Sequence, residues 1–290
     1  MNSTLYMAIP PNIARHTRSE LERLFPELDL AAPDIHREMY DFALTFGQGD
    51  LPALSVSAYP QMVENALALS GTGRLARPAA ELPALRPELA ALGLAPPAPE
   101  LVVIAVVPCV LVVNQAWPAI ADWADLVTPE LWGRVGVPPR DTPLPYLVEA
   151  HLSGLQDGRS VDGLLDTRST PLDINKRVDS GELAAGVLIP AFGRASRGGG
   201  ARLVWPQSGA LAVPLVACLR GDAPAAAHSA LEYLLSFEFQ SFLAMSGGIA
   251  PVRDDVPGFR ELNDASWNLQ WPGWAAVQTV ARNMNAALTA

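Results

Sequence analysis

The sequence is short of charge, of cysteine and of any long apolar run. Only 17% of its 290 residues are charged, 30 acidic against 20 basic, for a formal net charge of −10. Without a basic stripe, general binding to nucleic acid or to an anionic membrane is not expected, because both need clustered Lys and Arg. One local site can still oppose the net charge, so an anionic small ligand stays compatible. Two cysteines exclude a disulfide scaffold. The most apolar run, Leu101 to Val113, is shorter than the ~20 residues of a membrane helix and contains Pro108, so no membrane insertion is expected. The basic n-region and apolar h-region of a signal peptide are missing as well. Met1 taken as the native start implies the cytoplasm, whereas a removed leader implies export.

Several chemical motifs are absent too. There is no G-x-x-x-x-G-K-[ST], which argues against a P-loop nucleotide site. Gly71-Thr72-Gly73 does not complete a dinucleotide fingerprint and reads as a turn. Gly193-Arg194-Ala195-Ser196-Arg197-Gly198 has its serine one place too late for a nucleophile elbow. His16, His36, His151 and His228 are scattered without metal-ligand spacing, and Asp157 to Gly163 does not fit a calcium loop. No cofactor and no metal are expected. Cys109 and Cys218 lie in two long β-rich runs, out of register if these pair antiparallel, and read as buried reduced thiols.

What is present is apolar sequence, half of the chain, punctuated by 27 prolines. That is enough to fold, as one large or two medium domains. Leu5 to Ile9 reads as a buried strand, broken by Pro10-Pro11-Asn12, with Asn12 capping a helix from Ile13 to Phe25. Ala53 to Ala58 is a second strand, leading through Tyr59-Pro60 into a helix ending at Leu69. Gly71 to Pro99 reads as loops around one helix near Leu85 to Leu92. Leu101 to Asn114 is β-rich with a break expected at Pro108. A helical region follows at Trp117 to Trp132, then a strand at Arg134 to Pro138 and a helix from Leu144 to Leu155. The pattern continues with a helix near Leu172 to Ser180, strands at Ala184 to Ile189 and Arg202 to Trp205, and a second long β run at Ala210 to Leu219. The tail is helical. Strands alternating with helices predict an α/β class.

Ligands in open α/β sheets collect beyond the carboxyl ends of strands. Here those ends are Pro10, Pro11 and Asn12; Ser55, Ser57 and Tyr59; Arg140, Asp141 and Thr142; and Pro190, Ala191 and Phe192. Free N–H groups at helix starts near Asn12 and Thr142 favour an anionic or strongly polar group, and Arg140 offers a bidentate contact to carboxylate or phosphate. Each junction by itself also fits an ordinary cap or turn. Their agreement across both halves of the chain favours the functional reading.

Three stretches carry a family resemblance. One is Asp122-Trp123-Ala124-Asp125-Leu126 with Glu130-Leu131-Trp132-Gly133-Arg134-Val135-Gly136-Val137-Pro138. Another is Val178-Asp179-Ser180-Gly181-Glu182-Leu183-Ala184-Ala185-Gly186-Val187 with Trp205-Pro206-Gln207-Ser208-Gly209-Ala210 and Pro214. The third is Ala230-Leu231-Glu232-Tyr233-Leu234-Leu235-Ser236 with Gln240 and Gly247-Gly248-Ile249-Ala250-Pro251. Their joint order resembles the extracellular solute-binding proteins of bacterial ABC importers, the type II periplasmic-binding fold.

The resemblance implies two lobes, each a mixed, mostly parallel sheet flanked by helices, joined by two crossing hinge strands. Lobe 1 would be residues 1–113 with 211–290, and lobe 2 residues 114–210. It implies a monomeric, non-catalytic receptor that closes on a small polar or anionic solute, periplasmic residence, and an ABC permease as partner if the chain is exported. The alternatives are a cytosolic ligand-binding sensor module and an enzyme on the same fold. Asp141 and Glu149 lie where an enzyme's acid–base pair would, but capping and surface roles explain them equally. Iron-binding members commonly use adjacent tyrosines. The five tyrosines here, Tyr6, Tyr40, Tyr59, Tyr146 and Tyr233, are never neighbours, although Tyr6 and Tyr59 can converge in space.

Overall fold

Prolines set the start of most helices in the chain. The structure, a computed structural model, describes residues 3–78, 81–117, 119–156, 161–196 and 198–289. Parts of the expected Asp157–Gly163 loop, of the Trp117–Trp132 region and of the Gly193–Gly198 segment lie outside the described residues. In chain order come β1 (Thr4–Ala8), α1 (Pro11–Leu24), β2 (Asp29–Ala31), α2 (His36–Thr45), β3 (Leu54–Ser57), α3 (Pro60–Leu69), β4 (Leu75–Ala76), α4 (Pro87–Ala91) and β5 (Leu101–Asn114). After two short 3₁₀ turns follow β6 (Val135–Gly136), α5 (Leu144–Leu155), β7 (Leu165–Asp166), α6 (Pro171–Asp179), β8 (Ala185–Leu188), α7 (Pro190–Gly193) and β9 (Ala201–Val204). The chain closes with β10 (Ala210–Arg220), α8 (Ala225–Leu234), α9 (Phe237–Phe242), a π turn at Leu243–Gly247, α10 (Arg260–Asp264), β11 (Leu269–Gln270) and α11 (Trp274–Thr289).

In α1, α3, α4, α5, α6 and α7 a proline occupies one of the first two positions, where a missing N–H has no partner to lose. This corrects the expected start of α1. Pro10 is the cap and Pro11 the first helical residue, so Asn12 lies inside the helix, its amide donating to Gly247 O at 2.9 Å. α5 begins at Leu144 behind Pro143, the expected residue, so Thr142 stands two residues ahead of the helix and not at its N-terminus. Among the described residues, the helical region expected at Trp117 to Trp132 contains only the 3₁₀ turns Trp123–Leu126 and Pro129–Leu131.

The strands form one mixed sheet in the order β2-β1-β3-β10-β5-β8-β6-β7, with β4 and β11 on β10 and β9 on β5. β2, β1 and β3 are parallel, and β3 meets β10 antiparallel. β5 is the shared element. Its Leu101–Cys109 half pairs with β10, and its Val110–Asn114 half pairs with β8 and β9. Helices flank both halves, which is the expected α/β architecture with two long crossing strands.

The break expected at Pro108 does not occur; β5 runs through it, with Pro108 opposite Ala212. The reason lies in which edge lacks a donor. Val106 exchanges both backbone hydrogen bonds with Ala250, so its polar groups face away from β10. Pro108, two residues on, faces the same way, in the gap between the Ala250 bridge and the start of β8 at Val110. Pro214 lies opposite Val106 and so also turns its nitrogen off the β5–β10 ladder, between β11 at Leu211 and β3 at Val216. Each proline sits where its strand changes partner, the position at which a lost N–H breaks no ladder bond.

Cys109 pairs with Leu211 and Cys218 with Leu101, and both thiols are free and buried, as expected. Trp123 is fully buried and donates its indole N–H to Gly209 O at 2.8 Å, fixing the return into β10.

Candidate functional site

The carboxyl ends of β1 and β3 lie side by side because these strands are paired parallel, Tyr6 opposite Ser55 and Ala8 opposite Ser57. Beyond β3, the Ser57 hydroxyl accepts from Tyr59 N at 3.0 Å, which tightens the turn and directs the tyrosine. Tyr59 is buried. Its hydroxyl proton is shared between two acceptors, His36 O at 3.2 Å and Asp141 O at 3.1 Å. Burial pushes the Tyr59 phenol far above its ordinary pKa, with Asp141 and then Tyr6 adding to the rise. Tyr6 stacks on Phe42 with centroids 3.4 Å apart, and burial followed by the charge of Glu38 raises its pKa. Tyr6 Oη and Asp141 Oδ1 are buried without a hydrogen-bond partner among the described residues.

On the opposing side, Thr142 folds back on Pro139, both its N and its Oγ1 donating to Pro139 O. That turn presents the Asp141 carbonyl to Tyr59. Arg140 points elsewhere. Its guanidinium engages Glu149 with both terminal nitrogens and lies 5.5 Å from the Tyr146 ring centroid. Pro190, Ala191 and Phe192 form α7, with Asn175 donating to Phe192 O at 3.0 Å. Gly248, held at φ +61°, faces Ala191; a Cβ there would sit 3.4 Å from Ala191 N.

Two cavities adjoin this seam. One, of about 350 Å³, is walled by Pro11 and His36 on one side and by Pro139, Thr170 and Phe192 on the other. The second, of about 310 Å³, shares Pro11 and His36 and adds Arg15, Arg18 and Asp34. The fold therefore brings together Pro11 and Phe192 at one cavity, and Tyr59 and Asp141 in direct contact. Pro10 caps α1 beside them. Asn12 is tied to Gly247, Ser55 is buried between β1 and β10, and Ser57 serves its own turn.

His36, Arg15, Arg18 and Thr170 escaped the sequence reading. Thr170 carried a usable signal: Thr170-Pro171-Leu172-Asp173 has the spacing of a helix start, and Thr170 Oγ1 does accept from Asp173 N. Arg15 and Arg18 are three apart on α1, one face of a helix. His36 had no signal, since α2 itself was not foreseen. Among the described residues, no group of three or more His, Cys, Asp or Glu is placed to hold a metal ion. Among the described residues, too, no helix is long and apolar enough to cross a membrane.

Solved structures with the same fold span nearly the whole chain. A ferric binding protein from Campylobacter jejuni is similar with TM-score 0.73 at 16% identity, over 99% of this chain and 97% of that one. Iron-bound HitA from Pseudomonas aeruginosa gives 0.69 at 17%, over 99% of each. A Trichodesmium protein (IdiA, FutA) in complex with iron and citrate ligands gives 0.67 at 14%, over 99% and 96%. A sequence search against curated proteins finds no match. Residues 68–280, well over half of the chain, match the family described as bacterial extracellular solute-binding protein, and the chain belongs to that family.

Proposed function

We propose that this protein is a non-catalytic receptor of an ABC importer that closes on one small anionic solute and hands it to a permease. The two lobes are residues 1–113 with 211–290, and residues 114–210. The change of partners along β5 at Cys109 and Val110 supports that division. The solute we favour is ferric iron carried inside an anionic carboxylate chelate.

One observation carries this reading: the two cavities that share Pro11 and His36. One opens between segments of both lobes, and the other is walled by Arg15 and Arg18. Arg18 is engaged by Ala32 O and lies 4.0 Å from Asp34. Arg15 has no ion-pair partner among the described residues, so it is the cation available to a carboxylate. Neighbours named for ferric ion, and one described with iron and citrate, support iron as the cargo. Tyr59, whose hydroxyl donates to two backbone carbonyls, and Tyr6, stacked on Phe42, support a chelate held whole, with the metal not ligated by phenolate.

Calorimetry with ferric citrate, with citrate and with inorganic phosphate tests this reading. Ferric citrate should bind, and Arg15→Ala should weaken it about tenfold, as expected for a charged hydrogen bond. A visible phenolate-to-iron absorption band would overturn the whole-chelate reading, and the absence of heat with all three probes would overturn the solute class.

A further inference from the structure

We infer that Arg194 and Glu261 form a latch on the rim of the cleft that holds the closed lobes together and sets how long the solute stays. The inference rests on the receptor reading and its lobe division.

The pair joins segments 67 residues apart, fork to fork: Nε donates to Oε1 at 2.7 Å and Nη2 to Oε2 at 2.5 Å. Arg194 directly follows α7, in the part of the chain between the two crossing strands. Glu261 sits in α10, on the other body. Arg86 anchors that segment by donating to Arg253 O and Val256 O, both at 3.1 Å, while its guanidinium lies 3.4 Å from the Trp267 ring centroid. The two bodies thus meet along one seam at Tyr59 with Asp141, Gly248 with Ala191, and Arg194 with Glu261, among other contacts.

Of these three the last is the ion pair, and its chemistry suits a latch. Arg194 and Glu261 are 37% and 27% exposed, wet enough to be solvated when apart. The Arg194 guanidinium also lies 5.5 Å from the Phe259 ring centroid, and Phe259 packs near Trp205, so the fork is held in position when closed. Arg260, next in the chain, pairs with Asp264 and does not compete. A contact made only in the closed form shifts the open–closed equilibrium by its whole free energy. Such shifts fall on the dissociation rate more than on the association rate.

The test uses Glu261→Gln, Arg194→Ala and the double variant Arg194→Glu/Glu261→Arg. Stopped-flow tryptophan fluorescence with ferric citrate reads dissociation, and small-angle scattering without added solute reads compaction. Each single variant should raise the dissociation rate ~fivefold, the scale of a well-formed exposed pair, and lose the salt dependence of the wild type. The single variants should scatter as a larger particle, and the double variant should recover both readouts. Equal dissociation rates and equal radii of gyration in wild type and Glu261→Gln would overturn the latch. If wild type binds no ferric citrate, the solute assignment falls, and the solute-free scattering comparison still decides the latch.

Discussion

The hydroxyl of Tyr59 meets the main-chain oxygen of Asp141 at 3.1 Å, a single hydrogen bond between residues 82 apart in sequence. It lies at the seam that the proposed receptor must open and close. Tyr59→Phe keeps the ring and removes the donor, a loss of ~1 kcal/mol. Affinity for ferric citrate should fall about fivefold while the fold persists, with calorimetry and thermal unfolding as the two measurements. Unchanged affinity would show that the contact does not report on closure.

Gln240 is fully buried and bonds at both ends of its amide. Nε2 donates to Ile104 O at 2.8 Å and Leu234 O at 2.7 Å, and Oε1 accepts from Val252 N at 2.8 Å. It therefore ties β5, α8 and the segment after Pro251 together. Gln240→Leu strands three buried backbone groups and should destabilise by ~3 kcal/mol or more, seen as a lowered urea midpoint.

Asp166 should govern part of the acid sensitivity. Its carboxyl is almost fully buried, bonded by Arg168 Nε at 3.1 Å and Arg177 Nη2 at 2.9 Å. The Arg168 contact first, then that of Arg177, holds its pKa far below the usual carboxylate range. A depressed folded-state pKa stabilises fully above the unfolded value of ~3.9 and loses that contribution as pH falls toward the folded value. Asp166→Asn should cost ~3 kcal/mol at pH 7, and the gap to wild type should narrow below pH ~3. Urea unfolding at both pH values checks the sign.

Burial pushes the thiols of Cys109 and Cys218 up to about 12. Neither should react with a thiol reagent at pH ~8 in native buffer, since the thiolate is the nucleophile. Both should react once urea unfolds the chain.

The elements that the sequence announced were those with strong punctuation. Pro60–Leu69 and Leu144–Leu155 are helices at the expected residues, because proline opens each and apolar residues repeat behind it. Asp29–Ala31 and His36–Thr45 were missed. The strand has three residues and no buried face, and the helix has Ile35 as an uncapped start with only Met39, Tyr40 and Ala43 buried. That omission hid His36, which walls both cavities. Strand ends named residues that the fold brings close, since Pro11 and Phe192 line one cavity and Tyr59 bonds to Asp141. Side-chain direction was not legible. Arg140 stands at the expected turn, yet Glu149, one helix turn and more along α5, takes its guanidinium.

Pro108 and Pro214 mark the two places where the crossing strands change partner, and neither offers an N–H there. Neither proline therefore has an N–H bond of its own to lose when the crossing flexes, which lowers the enthalpy of bending there. The rate of separation then belongs to the side chains on the seam and to the friction of water moving into it. Its temperature dependence should accordingly be shallow, closer to that of solvent viscosity than to that of unzipping a strand.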